Sequence, residues 1–75
     1  MTSAERYAGE LADLAESGAG VPDGLVRFEQ IFDAYMIETP GDFVDKRKAL
    51  LDAFRKRAPE GDLAGLIDDK LGGMP

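Results

Sequence analysis

The 75 residues predict an all-α fold, a small compact bundle of three main helices plus a short fourth at the C-terminal end. Three observations predict it. Apolar residues recur at steps of three and four, and no stretch shows the strict alternation of a strand. Caps, prolines and glycines punctuate the chain at four places. The apolar fraction of 44% and six aromatics supply a core, so global disorder is excluded. Without cysteine, neither disulfides nor a thiolate metal site can support a domain this small. The whole chain, 1–75, is read as one helical domain.

The first helix is expected over 3–17. Thr2 and Glu5 have capping-box spacing, and Ala4, Tyr7, Leu11 and Leu14 share a face. Gly18 suits a left-handed C-terminal cap. "GAGVPDG" (18–24) reads as a hinge into the second helix, 24–37. Nine of the thirteen residues from Leu25 to Ile37 are apolar, more than one buried stripe can use. Thr39, Pro40 and Asp42 open a third helix, 40–58, whose buried stripe holds Phe43, Val44, Leu50, Leu51 and Phe54, with Arg47 falling inside it. Asp62 is expected to cap the fourth, 62–71, where Leu63, Leu66, Ile67 and Leu71 share a face. Gly72 and Gly73 end it, and Met74-Pro75 is read as a frayed tail. The expected core is Tyr7, Leu11, Leu14, Leu25, Phe28, Phe32, Tyr35, Phe43, Leu51, Phe54, Leu63 and Ile67.

The net charge of −6 argues against general affinity for nucleic acid or anionic membranes. The charge is unevenly spread. "KRKALLDAFRKR" (46–57) carries six bases and one acid, against three bases and fourteen acids elsewhere. Asp45 and Asp52 lie three or four positions from several of these bases and are expected to pair with them. No apolar run is long enough to span a bilayer and the first residues have no signal-like apolar segment, so a cytoplasmic location without membrane contact is expected.

Three short stretches resemble known families. "LAGLID" (63–68) is similar to the opening of the LAGLIDADG homing endonuclease signature, a packing helix whose terminal acid holds a divalent metal over DNA. Asp69, Lys70 and Leu71 depart from the Ala-Asp-Gly that follows in that family, and the strand-rich DNA-reading surface has no counterpart here. The stretch is therefore read as an amphipathic helix without a metal. "DGLVRFEQI" (23–31) resembles the region of acyl carrier proteins where Asp-Ser-Leu begins a helix and an acid follows four residues after the leucine. Asp23, Leu25 and Glu29 match, and the size, acidity and helix count are similar. Gly24 stands where the resemblance would put the phosphopantetheine-bearing serine, so carriage and cofactor are not implied. The interhelix loop is shorter and the third helix longer than in that family. Leu71-Gly72-Gly73 is similar to the diglycine end of ubiquitin-like modifiers and is read as helix termination.

With no histidine and no cysteine, the commonest acid–base group and the most reactive nucleophile are both absent. The carboxylates show no metal-loop spacing. No catalytic, metal or cofactor residue is assigned, and the expected function is a non-enzymatic protein–protein interaction module: a regulator, adaptor or accessory subunit. Its partner is another protein or a second copy. The expected contact residues are Val26, Met36 and Ile37, which lie off the main stripe of the second helix, with Arg47, Lys48, Arg55 and Lys56 on the third. The alternative is a nucleic-acid-associated regulator using helix 46–57. A carrier-like domain without its attachment serine is the distant third.

Overall fold

A computed structural model describes residues 2–73, and its four helices start and stop for local chemical reasons. Helix α1 (Ser3–Ala15) opens on the expected capping box: the Glu5 N–H donates to Thr2 Oγ1 at 3.2 Å, and the Thr2 N–H donates to Glu5 Oε1 at 3.0 Å. It ends two residues earlier than expected because Ser17 turns back, its hydroxyl donating to the Leu14 carbonyl at 2.7 Å. Gly18 then takes the left-handed conformation, φ +83°.

Helix α2 (Val21–Glu38) starts three residues before the expected boundary. Pro22 does not belong to a hinge; its fixed φ suits the first helical turn, where no intrahelical N–H partner is lost. Gly20 is the N-cap, and its carbonyl already accepts from the Gly24 N–H at 2.8 Å. Gly24 therefore sits inside the helix and is buried. A Cβ placed there would lie 2.5 Å from Leu63 Cδ2, so the glycine allows α2 and the last helix to approach.

Helix α3 (Phe43–Lys56) opens at Asp42, not at Pro40. The Asp42 carboxylate accepts from the Asp45 N–H at 3.0 Å, while Gly41, φ +117°, reverses the chain after α2. Its end also comes early, with Ala58 at φ +47° before Pro59. Helix α4 (Asp62–Gly72) has Asp62 as its first residue and not as its cap; Gly61, φ +109°, holds the cap position and offers no side chain. The tail expected at Met74-Pro75 lies outside the described residues.

The core gathers Tyr7, Leu11, Phe28, Ile31, Phe32, Tyr35, Leu50, Leu51, Phe54, Leu63, Ile67 and Leu71, with Ala8 and Ala64 at close approaches. Helix α1 packs on α2 and α3, and α4 closes over α2 and α3. Tyr35 is buried, and its hydroxyl donates to the Lys46 carbonyl at 2.7 Å, which satisfies the one polar atom of the ring. Burial pushes its phenol pKa above the usual tyrosine range. Three expected core residues, and a fourth from the expected stripe of α3, are placed differently. Leu14 and Leu25 are half-buried, Phe43 is 44% exposed, and Val44, expected in the buried stripe, is 48% exposed. The reason for the last two is the length of α4. Arg47 Nη1 donates to the Leu71 carbonyl at 2.7 Å, in the last turn of α4. Phe43 and Val44 lie about one turn further back along α3, past the end of the helix that would have covered them.

Candidate interaction surface

The basic run on α3 splits into bound and free charges. Lys46 Nζ donates to the carbonyls of Met36 at 2.7 Å and Thr39 at 2.9 Å, so it satisfies acceptors at the end of α2. Arg47 does the same for α4 through Leu71. Both cations thus sit at the negative ends of neighbouring helices. The Arg47 Nε is buried and has no hydrogen-bond partner among the described residues. Arg55 makes a two-pronged pair with Asp68 of α4, at 2.9 and 3.0 Å. That pair holds the Asp68 carboxyl below its ordinary range and raises the Arg55 guanidinium further.

Pairing of the bases with Asp45 and Asp52 is not what forms. Among the described residues the ion pairs are Arg55–Asp68 and Arg6–Glu38. Asp45 instead lies against the Asp42 carboxylate, which raises its pKa, whereas the Asp45 N–H lowers that of Asp42. Lys48 and Lys56 remain exposed. Lys56 lines a shallow groove between α1 and α3 with Arg57, Glu5 and Asp52 over a floor of Ala4, Ala49 and Ala53.

The expected apolar contact residues do not form one patch. Ile37 is 85% exposed and Val26 58% exposed, both on the side of α2 away from the core. Eleven positions separate them, roughly 16 Å along the axis. Met36 is half-buried and packs against the core. Instead, three of the five large exposed apolar side chains among the described residues, Ile37, Phe43 and Val44, fall within eight positions across the α2–α3 turn. From the sequence, Ile37 is expected at a contact beside that turn, whereas Phe43 and Val44 are expected to be buried. Phe43 also packs edge-on against Phe32, with ring centroids 6.2 Å apart.

Phe32 also lines a groove between α2 and α4, about 570 Å³ in volume, together with Phe28, Glu29, Asp33, Asp69, Lys70 and Gly73. No signal in the sequence pairs Glu29 and Asp33 with Asp69, since they meet only through the packing of α2 on α4. No group of three or more potential metal-ligating side chains converges among the described residues. None of the described helices is long and apolar enough to cross a membrane. The Gly24 position, where the carrier resemblance would put a serine, faces Leu63 from inside α2. No protein-family model, curated protein or solved structure significantly matches this chain.

Proposed function

We propose that this chain is a non-enzymatic interaction module that binds another protein through the α2–α3 corner. The observation that carries the reading is the corner itself: Ile37, Phe43 and Val44 stay in water although the interior has room for fourteen other apolar residues. Neighbouring exposed apolar side chains of this kind mark contact surfaces. The non-enzymatic reading rests on the sequence, which holds no histidine and no cysteine. The nucleic-acid alternative has less charge to work with than the sequence suggests, because Lys46, Arg47 and Arg55 are already engaged within the fold.

The test places a photo-crosslinking amino acid at Ile37 and, as a control, at the exposed Asp13 of α1. The expected result is a discrete adduct with one protein from Ile37 only, lost when Val44→Asp is added. Equal adducts from both sites, or none from Ile37, would remove the corner as the contact. Circular dichroism of each variant confirms that the helices persist.

A further inference from the structure

The rings of Phe28, Phe32 and Phe43 form a ladder from the interior to the surface. Centroid separations are 5.8 Å and 6.2 Å along it, and exposure rises from 2% to 9% to 44%. Glu29 and Asp33 of α2 and Asp69 of α4 wall the groove above the first two rings, with Lys70 as its single cation. None of those three carboxylates makes a side-chain hydrogen bond or ion pair among the described residues, whereas Asp68, one position before Asp69, is fully engaged by Arg55. A groove rimmed by carboxylates without a partner among the described residues, with the exposed Phe43 ring packed on its Phe32 wall, selects a particular chemistry.

We propose that this groove receives a lysine- or arginine-bearing amphipathic segment of another protein. Its cations face Glu29, Asp33 and Asp69 in the groove, and its apolar side chain seats beside the groove against the exposed ring of Phe43, which packs on the groove-lining Phe32. The inference rests on the interaction-module reading and adds the partner's chemistry. Burial of the apolar anchor supplies affinity, while charge complementarity supplies orientation and rejects acidic partners. A second copy of the chain fits less well. The outer face of its α3 interleaves Lys48 and Lys56 with the exposed Asp45 and Asp52, which dilutes the positive charge it would bring.

The experiment titrates the full ¹⁵N-labelled chain with a synthetic helical peptide built only of leucine and lysine. Two controls replace its leucines with serine or its lysines with glutamate. The expected result is binding of the leucine–lysine peptide alone, with amide shifts centred on Phe32, Asp33, Phe43 and Asp69. Binding should weaken at least about tenfold in Glu29→Lys/Asp33→Lys, and similarly in Phe43→Ser. Both acids of the double variant are exposed and unpaired among the described residues, so its fold should persist. Equal binding of the serine–lysine peptide, shifts centred on the acids of α1, or no binding at all would overturn the proposal. The same shifts on concentrating the protein alone would assign the groove to a second copy and also overturn it. Shifts confined to Ile37 and Val44 would remove the groove while leaving the corner intact, so the two readings fail separately.

Discussion

Two grooves on the flanks of the molecule differ in chemistry. Between α1 and α3, about 430 Å³ lies over alanines, and Glu5 and Asp52 face Lys56 and Arg57. Between α2 and α4, about 570 Å³ lies over phenylalanines, and three acids face one base. The first is what remains where two helices pack closely through small side chains. Even the Arg57 guanidinium lies across Gly9, where an added Cβ would come within 3.0 Å of it. Its charges cancel locally, two acids against two bases. The second is no more apolar, but its charge is uncompensated and the exposed Phe43 ring packs on its Phe32 wall. Concavity alone teaches little; floor and rim together separate packing residue from recognition.

The largest effect should come from removing the floor. Phe32→Ala takes out a ring that is 9% exposed and touches both Phe28 and Phe43. We expect a loss of about 3–5 kcal/mol in urea denaturation, which nearly unfolds a domain whose total stability is on the order of 5 kcal/mol. Ala4→Ser, on the floor of the α1–α3 groove, should stay within about 0.5 kcal/mol. Comparable losses at both sites would erase the distinction between the grooves.

The α2–α4 contact also sets the sign of two glycine substitutions. At Gly24 a Cβ would meet Leu63 at 2.5 Å, whereas at Gly65 it meets nothing within 4 Å. Gly24→Ala should therefore cost about 1–2 kcal/mol by overpacking, after the helical gain is subtracted. Gly65→Ala, on the exposed side of α4, should stabilise by up to about 1 kcal/mol. Calorimetric melting of the two variants reads the opposite signs directly. A stabilised Gly24→Ala would mean that Leu63 can move aside and that α2 and α4 are loosely packed.

Much of this was legible from local chemistry. The Thr2–Glu5 box, the acid near the start of α3 and the glycine stops need only neighbouring residues, and they put four helices in nearly the right places. The failures share another cause. The three-and-four spacing correctly put Phe43 and Val44 on the α3 stripe, but periodicity names a face without saying how far the covering helix extends. Likewise "KRKALLDAFRKR" announces charge without announcing that Lys46 and Arg47 will find the carbonyl ends of two other helices. Glu29, Asp33 and Asp69 are ordinary surface acids until packing brings them together. Phe43→Ser tests this lesson: the half-exposed ring should cost about 1 kcal/mol, well below Phe32→Ala, while the groove loses its anchor. A loss equal to that of Phe32→Ala would return Phe43 to the core.

The smallest expected effect lies on the opposite edge of α4, where Arg55 neutralises Asp68 and leaves Asp69 to the groove. The Arg55 hydrogen bonds are the main reason that the Asp68 carboxyl stays below its ordinary range, with partial burial opposing them. A carboxyl whose pKa is lower in the folded than in the unfolded chain contributes stability above the unfolded value. That contribution disappears as pH falls through the folded value. Glu5 and Asp42, lowered by their cap hydrogen bonds, act in the same direction. Asp45 is raised by its Asp42 neighbour and acts oppositely, since its protonated form favours the folded state. A difference between two proteins isolates one of these groups. Asp68→Asn should melt slightly below the parent protein at about pH 7, and the gap should close as pH falls through the lowered folded-state pKa of Asp68, below which the group is protonated in folded and unfolded chains alike. Added salt at about 1 M should shrink the same gap at neutral pH, because both partners are reached by solvent. A gap that persists in acid would assign the loss to packing of the asparagine and not to charge. No gap at neutral pH would mean that the pair orients α4 on α3 without stabilising it, and the contrast between an engaged Asp68 and a free Asp69 would then be one of geometry alone.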